Sequence, residues 1–451
     1  MSEERKPGPE KNAFDAVSSG FDSGITRSVD QRIDWLRKLE QTLNDRESDL
    51  LTALNADLGK PALEAWLAEF QFVREDICLH CKKAKSWSGK LRVPTPFHSW
   101  PGRSWTERRP FGKTLIFSPW NYPVQLSLSP LIGAISAGNT VVLKPSELAP
   151  ASAEFLADLL ADCFPPDVVQ VVQGDGEVAA QLSQLPFDHF FYTGSERYGR
   201  EVARAAAEQL VPCVLELGGK CPVVIGPGAD LQMTAERIAA MKLFNLGQTC
   251  FAPDFVLVPQ ADQTEWVDCL QKTLREEWEK HSGDEFAHIV NRSHFDRLCS
   301  LKEGVESDPD RLQITPTAFA ADWDSPTMKE EIFGPLLPVL TYNRKVPSEL
   351  KRMSKPLASY FFSADDEWLR EWIEEIPSGG TTINDVGKHT INHRLPFGGV
   401  GGSGYGRYRG KFTYDAFSYQ RGFTKRYFVK DPFALKRPYA PVLKMMRRFM
   451  K

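Results

Sequence analysis

The sequence predicts an α/β protein built from two doubly wound domains with accessory segments. From about residue 113, short apolar β-rich runs alternate with helical patterns, and those runs are apolar almost throughout. Strands of that kind are covered on both faces, as in a parallel sheet flanked by its crossover helices. The length of 451 residues leaves room for two large units, or three of about 150 residues each.

The N-terminal stretch reads as helical. Ser28 and Gln31 can form a capping box, after which Ile33, Leu36, Leu39 and Leu43 share one helical face. A second helical pattern over 50–58 is closed by Gly59 and Pro61. Strands are predicted at 114–117, 140–143, 168–172, 189–192 and 214–217, with helices at 151–163 and 196–210 between them. A second set follows Gly218, with strands at 222–225, 255–258, 337–342, 359–362 and 381–384 and helices at 231–244 and 265–280. From Leu395 a glycine-dense segment leads into a basic tail.

Composition excludes several classes. Hydrophobic residues make up 42% and charged residues 25%, an ordinary globular balance. A net charge of −4 offers no basic field, which disfavours nucleic acid as a partner. The 8 scattered cysteines are no disulfide framework in so long a chain. The charged start MSEERKPGPEKNAF lacks the apolar core of a signal peptide, and no apolar run approaches the roughly 18 residues of a membrane span. A cytoplasmic protein of a reducing compartment is expected.

Against that background one thiol stands out, in Asn245-Leu-Gly-Gln-Thr-Cys250. Taken alone, a cysteine is usually a small buried hydrophobe. Here Gly247 permits a tight turn that can aim the thiol and its own N–H at one point. In Glu216-Leu-Gly-Gly-Lys-Cys-Pro222 a carboxylate ends an apolar strand, where burial raises its proton affinity enough to act as a base near neutrality. In Phe117-Ser-Pro-Trp-Asn121-Tyr-Pro123 a rigid loop offers the Asn121 amide, a donor for a developing oxyanion. Tyr192-Thr-Gly194-Ser195-Glu-Arg-Tyr-Gly199 leads from a strand into a helix whose N-terminal amides suit a pyrophosphate, although the spacing is not G-x-G-x-x-G. Lys144-Pro-Ser-Glu147 could meet ribose hydroxyls, and Glu331-Ile-Phe333-Gly-Pro335 sets a carboxylate and an aromatic before a turn. Lys220 reads as structural. Cys78-Leu-His-Cys81 is half of a zinc pattern without a second half, so no metal is expected.

Taken together and in this order, the motifs resemble the aldehyde dehydrogenase superfamily over about residues 33–423. Cys250-Phe-Ala-Pro-Asp254, Lys355-Pro-Leu-Ala358 and Leu395-Pro-Phe-Gly-Gly-Val400-Gly-Gly-Ser-Gly404 are similar to its class 3 group, which includes fatty aldehyde dehydrogenase. The resemblance implies a Rossmann-like cofactor domain over 1–215, with a bridging arm near 88–112. It implies a catalytic domain over 216–394 and a return and oligomerisation segment over 395–451. It makes Cys250 the nucleophile, Glu216 the base for the hydrolytic water, and Asn121 with the Cys250 N–H the oxyanion hole. Lys144, Glu147 and Glu331 would hold ribose hydroxyls, Trp120 and Phe333 would flank the cofactor, and the Gly194–Ser195–Gly199 turn would approach the pyrophosphate.

NAD is the expected cofactor, with NADP as the alternative; Glu147 would repel a 2′-phosphate. The substrate would be a medium-chain, long-chain or aromatic aldehyde, and the assembly a homodimer. Two departures from the class pattern stand at Gly402, where an asparagine is usual, and at Arg409, where a histidine follows the tyrosine. They bear on the substrate entrance or the subunit contact. The rival readings are a CoA-acylating dehydrogenase, which the base at Glu216 disfavours, and a non-catalytic protein on the same fold. The basic amphipathic tail over 442–451 could touch a membrane surface weakly, although packing on the protein or a partner subunit is the preferred expectation.

Overall fold

The computed structural model describes residues 8–281, 283–429 and 437–449. The first seven residues of the charged start and Met450 and Lys451 of the tail lie outside them.

Two six-stranded sheets form the frame. The first runs Gly404–Tyr405, Cys213–Leu217, His189–Gly194, Lys113–Phe117, Thr140–Lys144, Val169–Val171. Five of its strands are parallel, and Gly404–Tyr405 is an antiparallel edge. The second runs Thr317–Ala320, Leu336–Tyr342, Phe255–Pro259, Pro222–Ile225, Ala358–Phe362, Gly380–Ile383 and is parallel throughout. Every strand predicted from the apolar runs is present with ends within two residues. The central strands are buried because helices cover both faces, while the edge strands Val169–Val171 and Gly380–Ile383 are only partly so.

Strand order fixes where ligands bind. In the first sheet the chain passes from Lys113–Phe117 outward to Thr140–Lys144 and Val169–Val171. It then returns to the other side through His189–Gly194. The carboxyl ends of Lys113–Phe117 and His189–Gly194 therefore flank the reversal point, where open parallel sheets leave a crevice.

The N-terminal helices seal this sheet. Val29–Asp45 buries the predicted face of Ile33, Leu36, Leu39 and Leu43. Ser28 Oγ accepts the Gln31 N–H at 3.3 Å, the first half of the capping box. Glu47–Leu58 ends at Gly59, which takes the left-handed conformation (φ 59°). The helix Gln125–Ala137 is buried along its whole length. It joins the N-terminal helices and both sheets into one apolar cluster that includes Leu36, Leu131, Ile116, Val223 and Tyr360.

Several elements have no periodic signal in the sequence. Leu91–Val93, Gly102–Pro110 and Ser418–Arg426 form a three-stranded antiparallel sheet. Trp66–Gln71 is a π-helical turn inside an otherwise α-helical stretch. Gly404 sits at φ 112°, and a Cβ there would lie 2.0 Å from the Leu215 carbonyl oxygen. Only glycine lets the returning chain lie against the strand that carries Glu216.

Cys78 and Cys81 lie on the helix Phe72–Trp87, the Cys78 thiol donating to Glu40 Oε1 at 3.0 Å. The tail forms the helix Tyr439–Phe449, with Val442, Met445 and Met446 half-buried and Leu443 exposed. Among the described residues, no helix is long and apolar enough to cross a membrane.

Candidate active site

Three loops converge between the sheets. The first follows Lys113–Phe117, where Ser118 to Val124 enters the buried helix Gln125–Ala137. The second follows the helix Leu231–Leu243: Asn245, Leu246 and Gly247 all take positive φ (50°, 50° and 75°), reversing the chain toward Cys250. A Cβ at Gly247 would lie 2.4 Å from the Gly334 carbonyl oxygen, so the turn needs glycine for space as well as for φ. The third is the end of Cys213–Leu217, where Glu216 pairs in register with Thr193 on one side and Gly404 on the other.

Hydrogen bonds join the first two loops. Asn121 Nδ2 donates to the Gln248 carbonyl at 3.0 Å, and Tyr122 Oη lies 2.6 Å from Thr249 Oγ1. Asn245 Nδ2 reaches both the Asn121 carbonyl at 3.0 Å and the Gln248 carbonyl at 3.2 Å. Gln248 is itself anchored, its amide donating to the Asn245 and His288 carbonyls and accepting the Val290 N–H. The Asn121 amide thus sits two residues from the thiol with one of its two donors engaged.

Cys250 and Glu216 line one cavity of about 700 Å³. Its interior is mostly apolar, with Phe72, Leu126, Phe244, Phe251, Val386 and Phe397 on the walls. The lining residues exposed to solvent, among them Leu67, Glu75, Lys388 and Ile391, mark the mouth. Glu216 is buried, and neither carboxylate oxygen has a hydrogen-bond partner in the structure. Burial therefore drives its proton affinity far above the usual carboxylate range, opposed by the charges of Arg409 and Arg407. Burial also raises the Cys250 thiol, reinforced by Glu331 and Glu216 and again opposed by Arg409.

The candidate cofactor residues group at the carboxyl edge of the first sheet. Lys144 is buried and donates to Glu147 Oε2 at 2.8 Å, while Glu147 is half-exposed. Ser195 caps the helix Glu196–Gln209 by position alone, since its side chain makes no capping bond; its carbonyl accepts from Tyr192 Oη at 3.2 Å. The first amides of that helix are left without a side-chain acceptor, as an anion site requires. Gly199 lies a turn further on, where a Cβ would fall 2.6 Å from Leu217 Cδ2; it serves helix–sheet packing.

Glu331 lies across the glycines after Glu216, so close that a Cβ at Gly218 would overlap its carboxylate. Burial and the neighbouring Asp254 raise its pKa to about 8. Phe333, at φ 53°, meets Trp120 edge-on with centroids 5.4 Å apart. Lys220 is tied to Asp254 and to the Thr327 and Glu330 carbonyls, pinning the loop that presents Glu331. An uncapped helix start at the reversal point, a Lys–Glu pair beside it and an aromatic pair over the next loop fit a dinucleotide.

Sequence reasoning did not single out Lys60, Glu69 or Tyr122, because a lysine and a glutamate near helix ends read as solvated charge. It placed Arg409 at the substrate entrance or the subunit contact. The side chain is in fact on the cavity wall, buried against the rings of Phe72, Tyr408 and Phe397. At Gly402 a Cβ would lie 1.9 Å from Ser354 Oγ, so the asparagine usual in the class would require Ser354 to move.

A thiol held neutral by burial reacts late on the pH scale. In dinucleotide-free protein, alkylation of Cys250 by iodoacetamide, read by mass spectrometry of its peptide, should still be rising above roughly pH 10, by which a free thiol of pKa about 8.5 has levelled off. A plateau at or below that pH contradicts the burial argument.

Comparison with known proteins agrees with this geometry. Residues 10–422 match the model of the aldehyde dehydrogenase family. The 4,4′-diaponeurosporen-aldehyde dehydrogenase of Staphylococcus aureus is 39% identical, the alignment covering 96% of this chain and 97% of that protein. The dimeric NADP-preferring aldehyde dehydrogenase of Canis lupus familiaris is 37% identical over 95% of this chain and 97% of its own. Relatives named as family 3 aldehyde dehydrogenases stand at 37–39%. The substrate-bound structure of Staphylococcus aureus AldH superimposes with a TM-score of 0.94 at 38% identity, covering 99% of this chain and 100% of that one. The chain belongs to the aldehyde dehydrogenase family, in its class 3 branch, and oxidises aldehydes to carboxylic acids with NAD or NADP.

Proposed function

We propose that this enzyme oxidises apolar aldehydes, medium-chain, long-chain or aromatic, through a thioester on Cys250. The observation that carries the reading is the shared cavity, in which the only thiol and the deepest carboxylate among the lining residues meet in an otherwise apolar space. Cys250 attacks the carbonyl carbon as the thiolate, its proton having left to solvent. The resulting oxyanion is met by the free donor of the Asn121 amide and the Cys250 backbone N–H. When bound, the dinucleotide supplies the hydride acceptor. Lys144, Glu147, Glu331, Trp120, Phe333 and the Gly194–Ser195 turn would orient it, while Gly199 sets the distance of the helix from the sheet. Glu216, buried and without a hydrogen-bond partner, then takes a proton from the water that attacks the thioester and passes it to the departing sulfur, so that the acid is released and the thiol restored.

The domain division accompanies this reading: 1–215 with the arm near 88–112 for the cofactor, 216–394 for the nucleophile, and 395–451 returning to the first sheet. A homodimer is proposed through the three-stranded sheet. Its outer strand Ser418–Arg426 pairs with Gly102–Pro110 on one side, and among the described residues no strand pairs with its other edge over 418–425, an edge of the kind proteins normally cover. Light scattering should give the mass of two chains; a single-chain mass would contradict this.

Glu216→Gln should keep the first burst of reduced cofactor and lose steady-state turnover by about 10²–10⁴-fold. Full turnover without a burst would reverse the assignment. Cys250→Ala should abolish oxidation and leave dinucleotide binding intact. In a series of linear aldehydes, kcat/KM should climb by up to about fourfold per methylene, the equivalent of about 0.8 kcal/mol, until the cavity is full. A flat or falling series would remove the apolar-substrate reading.

A further inference from the structure

We propose that Lys60 and Glu69 are positioning residues for the Asn121 amide, acting through the backbone of the loop that carries it; this rests on Asn121 being the oxyanion donor. Both side chains are completely buried and paired with each other. Lys60 Nζ also donates to the Asn121 carbonyl at 2.8 Å and lies 4.2 Å from the centre of the Tyr122 ring. Glu69 Oε2 accepts the Val124 N–H at 2.8 Å and the Gln125 N–H at 3.2 Å, the donors that open the buried helix. The pair therefore grips the loop at its middle and where it enters the helix. With Asn245 Nδ2 on the same carbonyl at 3.0 Å, both lone pairs of Asn121 O are occupied.

A buried ion pair contributes little stability beyond what an apolar pair of equal volume would give. An apolar pair, however, could neither direct the Asn121 carbonyl nor satisfy the Val124 and Gln125 N–H groups. Glu69 is aimed inward by the π-helical turn Trp66–Gln71, an insertion of the kind that recurs at functional sites. The local helix geometry, the ion pair and the loop carbonyl form one chain of contacts ending at the amide.

The test is a cycle read without cofactor. In wild type, thiolate attack on p-nitrophenyl acetate breaks the ester C–O bond, forms the Cys250 acetyl thioester and releases p-nitrophenolate. The burst rate is measured for wild type, Asn121→Ala, Lys60→Met/Glu69→Gln and the triple variant, with circular dichroism melts on all four. Asn121→Ala should lose about 10²–10³-fold. The Lys60/Glu69 variant should lose about 10–100-fold, the scale of a misplaced catalytic group. The triple variant should be no slower than Asn121→Ala, although its melting temperature falls in both backgrounds. Losses that multiply overturn the proposal while leaving Asn121 in its role. An unchanged rate for Lys60→Met/Glu69→Gln overturns it as well, and an unchanged rate for Asn121→Ala overturns the oxyanion reading and the proposal with it. Should the paired variant fail to fold, Glu69→Asp keeps the charge, shortens the reach to Val124 and Gln125, and enters the same cycle with the same outcomes.

Discussion

The hydrogen bond from Asn121 to the Gln248 carbonyl is the constraint on which the site depends, because it ties the loop of one sheet to the loop of the other. Neither loop has a regular lattice of its own. Asn245 and Leu246 hold left-handed backbone that non-glycine residues adopt at a cost of about 1 kcal/mol or more each. That conformation persists because hydrogen bonds brace it: Asn245 N–H on Glu64, its amide N–H₂ on two carbonyls, and Gln248 on Asn245 and His288. The thiol inherits its position from this frame.

Burial then sets the chemistry. Burial raises the proton affinity of Glu216, Glu331 and Cys250, and the two carboxylates raise that of the thiol further. Two of them cannot ionise together cheaply in such a space, so the thiol and the carboxyl titrate as a coupled set. A cation that opposes the shifts of both Glu216 and Cys250 is Arg409, stacked against three rings. A guanidinium stays charged at any working pH, whereas a histidine at that position would titrate near neutrality. The site thus carries a guanidinium in the wall of a mostly apolar cavity.

The glycines of the return segment serve the same geometry from outside. Gly404 lets an antiparallel strand close beside Glu216, and Gly402 makes room for Ser354. Glu331 depends on Gly218 in the same way, since only a residue without Cβ leaves space for its carboxylate. Residues far apart in the chain constrain one another here by volume rather than by charge.

The strands and helices of both sheets could be read from the sequence because a doubly covered strand must be apolar throughout, a local property. Cys250, Glu216 and Asn121 were legible for another reason: glycines and prolines around them mark turns that aim a side chain. Lys60, Glu69 and Arg409 were not, because a charged residue looks the same in sequence whether solvated or buried. Only packing of distant segments distinguishes the two. The three-stranded sheet likewise joins residues about 300 positions apart, a pairing that no local periodicity encodes. The sequence by itself determined the class of fold and singled out the candidate reacting groups; the tertiary structure decided which charges lost their water, and so which groups hold the others in place.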